Sequence, residues 1–389
     1  MRRTIAVFAL ALGLSQTSCI KKAFIASQAS GTREASSALD EIGDQNVART
    51  AAMNGLAQFE GMHKLSPNNE DVLFMLTKGW VSYGFAFAQD DMEQTEEGSD
   101  AYEEHKRLAT FAFERAIKYG LELMSHEDEG FEAARKNDAT LKTWLKENFD
   151  DKDQAQGLFW AGYAWLARVN LLRDQPAVVG ELWVGVAMIE RSYELDPDYN
   201  NYVALTALAA YHARASMAEL DEAKRMFELA LQKSQRKNLL VHVNYATRYA
   251  CLKGDRNLYE SLLQEALKFD ETSAPKLRLG NTISKKKAKR ALDKKFMAST
   301  CGFDMSKPST VIPDRASGVD NGDVSPEDFL KPGPTAPPAP TTAPTPPPAP
   351  APSATTPPAP APSGTAPKKP ADPKKPEKPA APDPLKPRN

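Results

Sequence analysis

The feature that most constrains the fold is a three-residue spacing that occurs twice near the middle of the chain. A small or aromatic residue is followed four positions later by a large one, and three positions after that by an alanine. The two copies are Ala223-Phe227-Ala230 and Tyr259-Leu263-Ala266. Offsets of four and seven place all three side chains on one face of a helix, so each copy predicts a helix with a single buried seam.

The same offsets occur elsewhere, and the copies at Phe227 and Leu263 are 36 residues apart. This period resembles that of tetratricopeptide repeats, which is 34 residues and is built from helical hairpins. No segment shows sustained strand alternation. We therefore predict an all-α, tetratricopeptide-like helical-hairpin solenoid of five hairpins with two long insertions. The other copies are Gly55-Phe59-Met62, Ala109-Phe113-Ala116 and Gly185-Ile189-Ser192, and Leu158, Ala161, Gly162 and Trp165 mark a leading helix.

The two insertions and the end of the solenoid are strongly charged or polar. Asp90 to Glu104 is rich in carboxylates, and residues 122–153 include a further acidic run. The first run is typical of a solvated loop or an exposed helix end, and the second insertion is expected to include a short helix from about Thr140 to Asn148. The basic segment from Thr282 to Met297 is expected to form a solvent-facing helix that caps the solenoid.

The N-terminus reads as an export signal. Arg2 and Arg3 precede an apolar run that is too short to span a membrane, and Cys19 follows small residues. This pattern resembles a bacterial lipoprotein signal that is cleaved before a lipidated Cys19, although Gln16 stands where such signals usually have Leu. The alternative is an ordinary secretory signal cleaved near Ser18. Ile20 after the cysteine favours an outer-membrane anchor that faces the periplasm.

Composition divides the remainder of the chain. The predicted domains are a signal peptide (1–18), a polar tether (19–37), the solenoid (38–298) and a disordered tail (299–389). Residues 331–389 hold 23 of the 30 prolines, and such a sequence buries too little apolar surface to fold. Lys and Arg total 49 against 51 Asp and Glu, so the charge indicates no nucleic-acid partner.

No catalytic, metal-binding or cofactor-binding motif is present. The chain lacks the motifs of serine hydrolases, zinc proteases, thiol oxidoreductases and phosphate-binding loops. His126 beside carboxylates fits a solvated loop better than a metal site. Cys251, on an apolar helix, is typical of a small core residue, and its pairing with Cys301 remains open. We predict no enzyme activity, no metal and no cofactor.

A dense aromatic helix is the remaining signal of function. It carries Trp80, Tyr83, Phe85 and Phe87. Most large residues of a repeat helix belong to the core, but residues two apart cannot share one helical face. We therefore predict that some of these four residues face a partner or a ligand groove. The alternative is that the inserted segments fold back and cover them.

The order of repeats and insertions over about residues 38–297 resembles the T-component of TRAP transporters (TatT), a family of tetratricopeptide-type periplasmic lipoproteins. The residues that carry the likeness are Gly55 to Pro67, the helix with Trp80 and Phe87, Gly157 to Leu171, Ile189 to Pro197, and Leu239 to Asp270.

The resemblance implies a non-enzymatic accessory component that docks the periplasmic solute-binding protein of a TRAP system. It also implies a lipid anchor, delivery of a small hydrophobic or carboxylate ligand, and a homo-oligomer, a trimer with a pore or groove in some members. The alternative is a cell-envelope tetratricopeptide scaffold lipoprotein with no transport role.

Overall fold

A computed structural model describes residues 22–214 and 218–308, and every regular element in these ranges is a helix. The predicted all-α class is therefore confirmed. The predicted signal peptide, Cys19 and residues 309–389 of the predicted tail lie outside the described residues. Within the described part of the chain, no helix is both long enough and apolar enough to cross a membrane.

The longer helices are labelled in chain order. They are α1 (22–35), α2 (Gln45–Leu65), α3 (Glu70–Tyr83), α4 (Asp100–Met124), α5 (Asp138–Asn148), α6 (Ala155–Leu171), α7 (Leu182–Leu195), α8 (Val203–His212), α9 (Leu220–Lys233), α10 (Leu239–Asn244), α11 (Arg256–Lys268), α12 (Arg278–Ala291) and α13 (Lys294–Cys301). Two helices continue beyond these bounds. A π-helical turn, Gly84–Ala88, extends α3 into Gln89–Met92, and a second, Tyr245–Ala250, extends α10 into Cys251–Lys253.

The remaining helical elements are short connections. They are Ser36–Glu41, Phe131–Ala134, Lys152–Gln154, Pro176–Val179, Glu271–Ser273 and Pro275–Leu277. Side-chain caps fix where several long helices begin. Asn69 accepts a hydrogen bond from the amide of Val72 at the start of α3, and Ser99 accepts one from Tyr102 at the start of α4.

Consecutive helices pack in pairs: α3 with α4, α6 with α7, α8 with α9, and α10 with α11. The predicted seam residues Phe113, Ile189, Phe227 and Leu263 have no exposed surface. The spacing in the sequence therefore identified the residues between paired helices. The finer assignment to the tetratricopeptide type remains a prediction.

The pair α6–α7 shows why small residues occupy the repeat positions. A β-carbon on Gly162 would lie 2.8 Å from the carbonyl oxygen of Gly185, and one on Gly185 would lie 2.7 Å from the carbonyl oxygen of Gly162. Real side chains do not approach backbone so closely. The two glycines therefore allow these helices to approach more closely than any other residue type would.

The predicted tether is in fact helical over α1. Ile25 and Ala29 are buried in a core cluster with side chains of α2 and α3. Arg33 pairs with Asp71 at 2.8 Å and lies 4.1 Å from the ring centroid of Phe74. Two apolar residues four positions apart are a weak sequence signal among polar and small neighbours, which is why this helix was read as a tether.

The second insertion is also packed. Its helix α5 contacts α7, and the side chains of Leu141 and Leu145 are fully buried. Arg191 donates hydrogen bonds of 2.9 and 2.6 Å from Nε and a terminal nitrogen to the carbonyl oxygen of Phe149. This insertion therefore contains the helix predicted from about Thr140 to Asn148, and that helix is part of the core.

The two ends of the helical array meet, because α12 contacts both α2 and Ser36–Glu41. Asp90, only 1% exposed, accepts hydrogen bonds from Arg290 at 2.5 Å and from Gln45 at 3.0 Å. Glu93 pairs with Lys287 at 2.6 Å and with Arg290 at 2.9 Å. The array is therefore closed into a ring by a charged clasp.

This clasp corrects two sequence predictions. The acidic segment was expected to be a solvated loop or an exposed helix end, which holds for Glu96, Glu97 and Asp100 but not for Asp90. The basic helix was expected to face solvent. Instead, Asp90 is buried and Lys287 is 9% exposed. Desolvation raises the pKa of Glu93, but its partners Lys287 and Arg290 lower it further, so the pKa lies below its usual range. In the clasp, the carboxylates of Asp90 and Glu93 in the acidic segment pair with the cations Lys287 and Arg290 of the basic helix.

Candidate functional site

Two adjoining cavities of about 560 and 480 Å³ lie among the helices of the ring, and we call the two together the channel. Four helices, α3, α6, α8 and α10, contribute to both cavities. Each of them lines the smaller cavity with residues nearer its start and the larger cavity with residues nearer its end. The four helices therefore run in the same direction, and the cavities are stacked along them.

The two cavities differ in chemistry. The smaller one, the apolar chamber, is lined mainly by aliphatic and aromatic side chains such as Leu56, Met75 and Ile283. Its charged residues, Lys78 and Asp40, lie 3.8 Å apart as an ion pair. The larger one, the polar chamber, contains amide, hydroxyl and guanidinium groups. These belong to Gln89, Asn170, Thr206, Arg214, Asn244, Thr247 and Arg248.

Four residues line both chambers and form the waist of the channel: Phe85, Tyr163, Val203 and Leu240. Each comes from a different helix or its extension. The rings of Phe85 and Tyr163 meet edge to face, with centroids 6.0 Å apart. Burial raises the pKa of Tyr163 well above its usual range, so its hydroxyl stays neutral. The waist therefore carries no charge of its own.

Both π-helical turns supply residues to the channel. The turn in α3 carries Phe85, and the turn in α10 carries Thr247 and Arg248. A β-carbon on Gly84 would lie 2.7 Å from a ring carbon of Phe113, so the first turn packs tightly on α4. A π-turn widens the helix and changes the direction of the side chains that follow, and such turns are frequent at functional sites.

The four aromatic residues predicted from the sequence do not form one surface. Phe85 lies at the waist, and Phe87, 1% exposed, is buried beside the apolar chamber. Tyr83 is partly buried, with ring contacts to Trp80 and Phe87 at 6.0 and 6.1 Å. The sequence predicts that some of these four residues face a partner or a ligand groove. In the structure Phe85 lines the channel, Phe87 is buried, and Trp80 and Tyr83 are partly buried.

Trp80 is partly buried and packs against two core clusters. Its indole Nε1 donates a 2.8 Å hydrogen bond to Glu60, and its ring meets that of Phe111 at 5.6 Å. The guanidinium of Arg115 lies 5.3 Å from the Trp80 ring centroid and 5.6 Å from that of Phe111. Phe111 is 45% exposed. We call Trp80, Phe111 and Arg115 the aromatic patch.

Sequence reasoning missed the channel residues on the other helices. Tyr163, Leu240 and Arg248 are not singled out by any of the sequence patterns. A signal did exist, since all of them lie on the leading helix of a predicted hairpin. Finding them would have required knowing that the array closes, because an open solenoid has no enclosed channel.

The ionisable clusters have structural partners. Burial disfavours the charge of Glu265, but hydrogen bonds from Arg236 and His242 outweigh it and lower the pKa to about 2. His126 Nδ1 lies 3.3 Å from Glu70 Oε1. Among residues 22–214 and 218–308, no three His, Cys, Asp or Glu side chains are grouped closely enough to hold a metal ion.

Comparison with known proteins gives two matches. A model of the family described as "TRAP transporter T-component" matches residues 42–297, about two thirds of the chain. A protein of Treponema pallidum (strain Nichols), described as uncharacterized, is 22% identical over 244 residues. That match covers 60% of this chain and 74% of the Treponema protein.

Proposed function

The chain belongs to the TRAP transporter T-component family, and from this premise we propose that it is a non-enzymatic, periplasmic accessory component of a TRAP-type transport system. In this role it docks a solute-binding protein and delivers a small hydrophobic or carboxylate ligand. The channel through the closed ring is the observation that carries the proposal. Its two chambers have the size of small-molecule sites, and the leading helices that line them are rigidly packed.

The aromatic patch supports the docking step. Trp80 and Arg115 are residue types that commonly dominate the binding energy of interfaces, and Phe111 beside them is exposed. The patch replaces the wider surface predicted from the sequence, because Phe85 and Phe87 face inward. Two carboxylates of the acidic insertion, Asp90 and Glu93, belong to the clasp and are not available to a partner.

We expect Phe111→Asp to abolish recovery of a solute-binding protein from envelope extract, because the charge would enter the centre of an apolar contact. The measurement is affinity capture with the purified protein, followed by mass-spectrometric identification. Phe296→Asp is the matched control, since Phe296 is similarly exposed, at 39%, and lies on α13. If the wild type and both variants capture only wall or assembly proteins, the scaffold function is correct.

Anchoring to the membrane is part of the proposal. It is supported by the apolar run before Cys19 and by the disulfide Cys251–Cys301, a bond typical of proteins exported from the cytoplasm. We expect cells fed a fatty-acid analogue to label the wild type and not Cys19→Ala, which lacks the thiol that receives the lipid. Cys251→Ala is the control and should label normally. Equal labelling of wild type and Cys19→Ala would exclude the lipid anchor.

A further inference from the structure

We propose that the channel binds an amphiphilic anion, with its anionic head paired to Arg248 in the polar chamber and its slender apolar tail passing the waist into the apolar chamber. This inference rests on the proposed function in taking the channel as a ligand site. It goes further by stating the class of ligand and its orientation. The evidence is the distribution of charge and apolar surface along the channel.

The polar chamber is cationic. Among the described residues that line it, the charged ones are Arg214 and Arg248, and none is a carboxylate. Arg214 is already engaged, with its guanidinium 3.9 Å from the Tyr211 ring centroid and 4.0 Å from Glu219. Arg248, by contrast, is exposed and forms no ion pair with any residue in the described ranges. It therefore offers a planar, permanently charged group suited to a carboxylate.

Arg248 lies on the side of the waist where the head of such a ligand would stop. It follows the waist residue Leu240 by eight positions along α10 and its π-turn. Its positive charge also reaches the waist, because it lowers the pKa of Tyr163 against the effect of burial. An anion beside Arg248 would lie in the polar chamber, with its tail directed past the Phe85–Tyr163 ring pair toward the apolar chamber.

The apolar chamber suits the tail and not a second charge. Its lining is mostly aliphatic and aromatic, and Lys78, the cation among its described lining residues, already pairs with Asp40. Apolar surface placed there leaves water, which favours binding. A dicarboxylate would have to place one carboxylate among these side chains without a free cation, which is unfavourable.

The waist restricts the shape of the tail. An edge-to-face ring pair with centroids 6.0 Å apart lies where the two chambers adjoin, together with Val203 and Leu240. A single unbranched chain is the slenderest apolar group that could pass it. The Lys287 amine lies 5.1 Å from the Phe85 ring centroid and is itself bound to Glu93, so the clasp helps to hold the Phe85 ring in place.

The test is a fluorescence titration of the purified full chain with cis-parinaric acid, an unbranched fluorescent fatty acid, and with its methyl ester. We expect the acid to bind saturably and the ester to bind more weakly. Arg248→Gln should weaken binding of the acid about tenfold, the usual order for losing one charge-assisted contact, and should leave the ester unchanged. Arg248→Lys should retain most of the affinity because it keeps the charge.

Arg173→Gln is the matched control, because Arg173 is an exposed arginine that does not line the channel. Equal binding of acid and ester by the wild type, or unchanged binding of the acid by Arg248→Gln, would overturn the proposal. Equal losses in the Gln and Lys variants would also overturn it. This titration needs no solute-binding protein. Acid binding without capture of that protein therefore rejects only the proposed function, and capture without acid binding rejects only this inference.

Discussion

Replacing Phe227 by Ala is expected to lower the free energy of unfolding by about 3–5 kcal/mol, the range for truncating a fully buried phenylalanine. Phe227 has no exposed surface and stacks on Tyr245, with ring centroids 5.0 Å apart and planes 15° from parallel. Phe227 belongs to α9, and its ring packs against the π-turn of α10. The variant loses this ring contact and leaves a cavity that the packed helices cannot fully close. Urea denaturation followed by circular dichroism measures the change.

Phe24→Ala is the control for this prediction, because Phe24 is 67% exposed. We expect it to change stability by less than about 0.5 kcal/mol. The closed ring adds a second expectation. In an open repeat array one weakened unit can unfold locally, whereas here each pair has neighbours on both sides, so unfolding should remain a single transition. If Phe227→Ala keeps the wild-type midpoint, the seam assigned from the repeat spacing is wrong.

The seams could be predicted because the signal is local. Phe113, Ile189, Phe227 and Leu263 each have small or apolar residues four positions before and three after, and this pattern arises directly from helix geometry. Their complete burial needs no knowledge of distant parts of the chain. The helical class and the pairing of neighbouring helices follow from the same local pattern.

Ring closure could not be predicted because it depends on residues far apart in the chain. Asp90 and Arg290 are separated by 200 positions, and each lies in a run of like charges that is typical of a solvated surface. Only in the folded chain do the two runs face each other. Closure also creates the channel, so residues such as Arg248 gained a candidate role only from the structure.

The aromatic helix was predicted in part, for a different reason. Residues two apart cannot share one face of a regular α-helix, so Phe85 and Phe87 were expected to diverge. The π-turn Gly84–Ala88 alters the helix geometry at this point and places Phe85 at the waist while Phe87 is buried. No residue type marks a π-turn reliably, so the direction of each ring could not be read from the spacing.

Removing the disulfide Cys251–Cys301 is expected to lower the free energy of unfolding by about 4 kcal/mol, the chain-entropy value for a closed loop of this size. The bond links residues 50 apart in sequence, whose Cα atoms lie 4.9 Å apart, and it attaches α13 to the end of α10. Both cysteines line the polar chamber. The double variant Cys251→Ala/Cys301→Ala should therefore unfold at lower urea concentration than the oxidised wild type.

The third cysteine supplies the control. Cys19→Ala should unfold like the oxidised wild type, because Cys19 has no part in the bond. Treating the wild type with dithiothreitol should lower its stability to that of the double variant, and should not change the double variant itself. Two reactive thiols from Cys251 and Cys301 in the non-reduced, denatured protein would contradict the pairing. Since the chain constraint acts on the unfolded state, the helical content of the folded variants should remain the same.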